Sequence, residues 1–428
     1  MIVRTLWTNL IIQGITFATS VLTARMLGPT GRGELALILL YPQLVATLSL
    51  MGTDRAVAVL GGRRELDQPI ATILKLTLLI SIPAMVLGYL TVVGQVADPR
   101  LAKMAKLYLA YIPAVYFYLL VSLLFNGTGD FLRFNLSRLG FYCFNFVLLL
   151  IIWMSASRDA LDLVVLANLG SVYGVCMIAA LMFHGFSYTS TPNSESIRTT
   201  DIRKVFKLAA IFALPAGLAQ LSGVIYQIIL EHNLGVAPLG KFIVYFAYSR
   251  ILSPVGNAIS SHVFYRGINS QNNDISHICR ISLMVYLLCS LPLWLLAHWL
   301  VPLIFGYDFI ADLQIIGLLL LSSIFSLLAD AVAEFLKGKR KVLVDNIGRI
   351  MYLVIVTGLG WWMATLFGLI GMAFSIALAD FIRYLALVSY AGQNTDQAVS
   401  DFCLVKLTDI SAIARSGKTA ISPSRKEP

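Results

Sequence analysis

Twelve stretches of about 20 mostly apolar residues follow one another along the chain, separated by short polar turns. A helix rises 1.5 Å per residue, so roughly 20 apolar residues cross the hydrocarbon core of a bilayer. The stretches fall at 6–27, 34–53, 70–94, 107–126, 138–156, 161–183, 205–230, 240–261, 280–304, 312–336, 343–366 and 367–391. Each predicts a spanning helix. The first follows Arg4 and is too long for the apolar core of a signal peptide, so it is read as a helix that stays. The most polar internal segment, "HGFSYTSTPNSESIRTTDIRK" at 184–204, has the Ser, Thr and Pro content of a linker. It divides the chain into an N-terminal six-helix lobe at 1–183 and a C-terminal one at 205–391. A polar tail follows at 392–428. The expected fold class is all-α: a polytopic membrane protein of about twelve helices in two pseudo-symmetric lobes.

Composition sharpens this picture. The chain is 58% hydrophobic and 13% charged, whereas a soluble domain carries about 25% charged residues. The net charge of +10 reads as topology rather than nucleic-acid binding, because basic residues gather in cytoplasmic loops. With the N-terminus inside, the inner loops hold Arg4, Arg55, Arg63, Arg64, Arg133, Arg138, Arg198, Arg203, Lys204, Arg266 and the "KGKRK" run that starts at Lys337. The outer loops hold Arg25, Arg32, Arg100, Lys103, Lys106, Arg158 and Lys241. Both termini are then expected in the cytoplasm, with the bilayer as the chain's first partner. No loop is long enough for a folded domain outside the membrane. Cys143, Cys176, Cys279, Cys289 and Cys403 form no C-x-x-C pair, and the five histidines show no ligand spacing, so no metal or cofactor is expected. There is no G-x-x-x-x-G-K-[ST], no H-E-x-x-H and no G-x-S-x-G.

The chain also repeats itself. "ARMLGPTGRGELALILL" at 24–40 and "EHNLGVAPLGKFIVYFA" at 231–247 align at an offset of 207 residues. Gly28 then falls on Gly235, and Gly33 on Gly240. At offset 211, Gly127, Asn135 and Arg138 fall on Gly338, Asn346 and Arg349. Two matches near one period suggest a duplicated six-helix unit. An even helix count makes the copies parallel, related by an axis along the membrane normal. Coincident glycine turns between helices are the competing explanation.

"LTARMLGPTGRGELALILLYPQLVATLSLMGTDRAVA" and "YQIILEHNLGVAPLGKFIVYFAYSRIL" resemble the openings of the two halves of bacterial polysaccharide flippases, members of the multidrug/oligosaccharidyl-lipid/polysaccharide exporter (MOP) superfamily. The resemblance implies two six-helix lobes around a central cavity. It implies an undecaprenyl-pyrophosphate-linked oligosaccharide as substrate and a bacterial inner-membrane location. Polysaccharide polymerase and glycosyltransferases would be the associated partners. The lipid II flippase relatives usually carry two further C-terminal helices, so a count of twelve favours the O-antigen or exopolysaccharide branch, or a small-molecule exporter.

Polar side chains inside a span are costly, about 2.5–3.5 kcal/mol for Arg or Asp at midspan, and mark sites by default. Asn9, Gln13, Thr16 and Ser20 share one face of the first helix, and Gln220, Gln227 and Glu231 one face of the seventh. Offset 207 places Gln13 on Gln220 and Ser20 on Gln227. These faces line a substrate cavity or act as glue between helices. Arg250, read near the middle of the eighth helix, could bind a phosphate; Arg25 reads as an interface residue. Asp345 with Arg349 and Asp380 with Arg383 are spaced for local salt bridges. Asp330 and Glu334 show no partner on their own helix, so they are candidates for ion coupling or for pairing with the nearby basic run. A flippase is the leading reading and a cation-coupled multidrug antiporter the alternative. A membrane polymerase or ligase would need a large external loop.

Overall fold

A computed structural model describes residues 2–155, 160–184, 201–268, 275–339, 341–395 and 397–403. Every regular element among them is a helix. In chain order these are α1 (Ile2–Leu50), α2 (Thr53–Gly62), α3 (Pro69–Gln95), α4 (Pro99–Tyr108), α5 (Tyr111–Gly127), α6 (Phe131–Met154) and α7 (Ala160–His184). Then come α8 (Asp201–Leu234), α9 (Val236–Ser249), α10 (Ser253–Ile268), α11 (Ile275–Phe305), α12 (Leu313–Gly338), α13 (Val342–Thr395) and the short α14 (Ser400–Cys403). Residues 185–200 of the predicted linker and the tail from 404 onward lie outside the described residues, as do Arg158 and Arg340.

Among the described residues, nine helices are long and apolar enough to cross a membrane. Two of them run Trp7–Leu50 and Leu343–Gln393, 44 and 51 residues. A straight 44-residue helix would reach about 66 Å, twice a hydrocarbon core of about 30 Å. Each is broken once, at Gly28 (φ 63, ψ −174) and Gly368 (φ 61, ψ −135), so each holds two of the expected spans. The expected helix at 240–261 is itself divided: α9 ends at Ser249, a 3-10 turn occupies Arg250–Leu252, and α10 begins at Ser253. With two breaks and this divided segment, nine long helices account for twelve expected spans.

In α3, Leu74, Leu78, Ile82, Val86, Leu90 and Val93 are exposed, while Thr77, Ser81, Ala84 and Gly88 are buried. The small and hydroxylated residues let neighbouring helices approach closely, and Ile73, Leu76, Ile80 and Val92 of the same helix are buried beside them.

The chain gathers into two compact units. The first comprises residues 1–248, 298–312 and 356–372; the second comprises 249–297, 313–355 and 373 onward. The first unit has one core around Val45, Leu76, Ile112, Val121, Phe125 and Val175. A second core around Leu35, Ile38, Val92, Leu149 and Val164 draws in Val224 and Ile228 of α8 and Val236 of α9. The second unit packs around Cys279, Tyr286, Leu328, Phe335, Tyr384 and Phe402.

The repeated turn is visible inside the first unit. Gly28 and Gly235 both adopt positive φ, 63° and 84°, a conformation glycine enters without steric cost. The equivalent glycines that follow meet each other's turn. A Cβ on Gly33 would stand 1.9 Å from the carbonyl oxygen of Val236, and one on Gly240 would stand 1.9 Å from that of Pro29. Val236 and Pro29 are themselves 207 residues apart, so the contact is reciprocal. In the second pair of matching blocks, Asn135 and Asn346 are both buried, each 8% exposed.

Candidate functional site

The polar face of α1 divides on inspection. Asn9 accepts a hydrogen bond from Arg138 Nη1 of α6 at 3.1 Å, which ties two helices together. The Thr16 hydroxyl donates to its own helix at Ile12 O, at 2.8 Å. Gln13 is half-buried, and the Ser20 hydroxyl is buried with no hydrogen-bond partner among the described residues. On α8, Gln220 is half-buried and Gln227 donates to the neighbouring Tyr226 hydroxyl at 3.2 Å. Glu231 forms no ion pair among the described residues; its electrostatic neighbours are Tyr41 and His232.

A cavity of about 170 Å³ lies between the second segment of α1, α8 and α9. Its polar lining is Arg32, Gln43 and Gln227, set in walls that include Leu39, Val224 and Ile243. Gln43 Nε2 donates to the Tyr108 hydroxyl at 3.5 Å, the long end for a hydrogen bond, and Tyr108 stacks on Tyr111 at 5.0 Å. The Arg32 Nε is buried and has no partner among the described residues. The sequence reading put Arg32 in an outer loop. Only Gly28 leaves helical geometry, however, and Pro29 restarts the helix at its first position, where the missing N–H and fixed φ suit it. Arg32 therefore belongs to a helix, and its position one turn past a Gly-Pro break was the available signal.

Arg25 does more than sit at an interface. Its Nε donates to Ile304 O at 2.8 Å and its Nη2 to Leu303 O, capping carbonyls of the last turn of α11.

The second unit holds the remaining candidates, in a different state. Arg250 is exposed on the 3-10 turn rather than buried within a helix, near enough to Asp380 to act on it electrostatically. Asp330 accepts from Arg383 Nη2 at 2.8 Å. Glu334 takes Lys337 Nζ at 2.8 Å, so it does have a partner on its own helix, at i,i+3. Asp345 gathers three cations: Lys337 at 3.0 Å, Arg383 at 3.1 Å and Arg349 at 3.3 Å. The expected Asp345–Arg349 bridge is present. Arg383 turns to Asp330 and Asp345 instead of Asp380, and Asp380 accepts from the Ser322 hydroxyl at 2.6 Å. Three carboxylates and three cations balance, with Asp345 and Arg383 only 3% and 4% exposed.

Solved structures similar to this architecture include membrane transporters. An inward-facing multidrug resistance MATE-family transporter of the MOP superfamily is 18% identical and superposes with a TM-score of 0.70, covering 89% of this chain and 94% of that one. The lipid II flippase MurJ, in an inward closed conformation, is 13% identical with a TM-score of 0.74, covering 99% of this chain and 94% of that one. The chain has the fold of these transporters. A MOP-superfamily transporter from Pyrococcus furiosus is 16% identical with a TM-score of 0.63, covering 94% and 96%. No protein-family model matches the sequence, and no curated protein does. What the chain shares with these structures at such identities is the fold.

Proposed function

We propose that the protein is a flippase that turns an undecaprenyl-pyrophosphate-linked oligosaccharide from the inner to the outer leaflet of a bacterial inner membrane. The single observation that carries this reading is the cavity of the first unit, where Arg32 and two glutamines converge within spans. A guanidinium and amides suit a phosphate headgroup and sugar hydroxyls better than an apolar drug. The half-buried Gln13, Gln220 and Glu231 would extend the polar path. The two six-helix repeats at 1–183 and 205–391 would supply the two sides of that path, with both termini in the cytoplasm. The fold shared with a lipid II flippase over 99% of the chain is consistent with this.

A second reading, a cation-coupled multidrug antiporter, draws support from the MATE-family likeness and from Asp380. That carboxylate is 3% exposed and takes its hydrogen bond from a serine rather than a cation. A buried carboxylate of this kind is a natural proton or sodium ligand. Asp330 and Glu334, the candidates on α12, are held in ion pairs and would have to exchange them to couple.

A deletion strain separates the two. Extracted lipids with accumulated undecaprenyl-linked oligosaccharide, together with lost surface polysaccharide, support the flippase, and the mass names the sugar. Unchanged lipid and surface polymer with altered drug sensitivity support the antiporter.

A further inference from the structure

The second unit is covered at one end by the chain's own C-terminal segment. The composition from Gln393 onward reads as a polar tail, yet residues 397–403 turn back onto the helices. The turn is tight. The Gln397 N–H donates to Gly392 O at 3.1 Å, and a Cβ on Gly392 would stand 2.5 Å from Gln397 O. Phe402 then enters the core of the unit, 0% exposed, in one cluster with Cys279 of α11, Leu336 of α12 and Leu387 of α13. Two side chains hold the backbone there. Arg280 of α11, 7% exposed, donates from Nη1 to the Asp401 carbonyl. The Tyr384 hydroxyl of α13 donates to the Phe402 carbonyl at 3.3 Å. Both carbonyls belong to α14, a helix too short to pair them internally.

The segment is a strap that runs from the end of α13 across to α11, and it is thinly anchored. Every ordered residue costs backbone freedom. Against that cost stand one fully buried apolar side chain and single hydrogen bonds, each of small net worth. Ala398, Val399 and Ser400 are exposed and add little burial. Opposing contributions of similar size let such a segment open at far less cost than the whole unit. We propose that residues 397–403 are a strap, closed in this structure, whose opening admits water to the end of the second unit where α11 begins and α13 ends. Phe402 is the stopper, and Arg280 and Tyr384 are the catches. Opening uncovers the socket beside Cys279 and releases α11 from the end of α13. In a membrane transporter this regulates how readily one end of the unit is reached from water. The strap lies wholly within the second unit, so it stands independently of the flippase reading.

The test uses the full-length protein in detergent, with Cys143, Cys176, Cys289 and Cys403 replaced by serine so that Cys279 is the one thiol. A water-soluble maleimide is added, and labelling of Cys279, 1% exposed, is followed in time. A control protein carries Cys279→Ser and Ala373→Cys in the same background. Ala373 is 0% exposed and lies about 16 Å from Tyr384 along the same helix. Global unfolding exposes both thiols alike, whereas strap opening exposes Cys279 alone. The expected result is that Cys279 reacts at least about tenfold faster than the thiol at 373. Phe402→Ala should speed Cys279 by a further factor of about ten or more, and Tyr384→Phe by about two- to tenfold. Neither should change the rate at 373. Equal rates at the two positions overturn the proposal. So does a Cys279 rate that Tyr384→Phe leaves unchanged, a variant that keeps the ring and tests the catch even if Phe402→Ala misfolds.

Discussion

Two groups of candidate side chains, one in each unit, are partnered differently. In the second unit, Asp330, Glu334 and Asp345 close on Lys337, Arg349 and Arg383, and the set is neutral within itself. In the spans of the first unit, Arg32 and Glu231 form no ion pair among the described residues, and the Ser20 hydroxyl is buried without a partner. A charge removed from water is expensive unless it is partnered. The closed network answers that expense within the protein and so acts as structure, tying α12 to both halves of α13. The open groups are the ones on which the proposed substrate site rests. The candidates named from sequence thus differ in their partners.

Breaking the network should have the largest effect. Arg383→Met removes the cation shared by Asp330 and Asp345 and leaves a carboxylate 3% exposed with one partner fewer. A loss of about 3–5 kcal/mol is expected, read as a large fall in Tm and in purified yield. Next in size is the reciprocal glycine contact. Gly33→Ala and Gly240→Ala each force apart backbones that leave 1.9 Å for a Cβ, at about 1–3 kcal/mol each. The double variant should lose less than the sum, because the first substitution already separates the helices for the second. Thermal unfolding of the three variants checks both the size and the coupling. Asp380→Asn should change Tm little, within about 1 kcal/mol, since an amide oxygen still accepts from Ser322. Under the antiporter reading the same variant should abolish ion-driven drug efflux, measured in everted vesicles. The smallest effect is expected at Arg133→Gln. That side chain pairs with Asp130 at 2.6 Å but is 31% exposed, so the loss should stay within about 1 kcal/mol.

How far the sequence reached follows from what each feature depends on. The spans were legible because length and apolarity are local properties, and the positive-φ turns at Gly28 and Gly235 were legible as a repeat. The break at Arg250–Leu252 was not, although Pro254 marked it: proline has no N–H for the Arg250 carbonyl, which takes the Ser253 N–H instead. Local spacing found Asp345 with Arg349. It mispaired Asp380 with Arg383, because Arg383 finds Asp330, 53 residues away, in a better position. The Lys337 partner of Glu334 stood at i,i+3 and could have been read from sequence. Arg32 falls between the apolar stretches 6–27 and 34–53 and so reads as a loop charge, whereas only Gly28 leaves helical geometry there.

The most direct test reconstitutes the purified protein in vesicles with a fluorescent undecaprenyl-pyrophosphate-linked oligosaccharide in the inner leaflet and follows its exposure to an external quencher. The account predicts exposure well above protein-free vesicles, reduced by Arg32→Gln and retained by Arg133→Gln. Exposure no faster than in empty vesicles, with wild-type protein correctly folded, would contradict it.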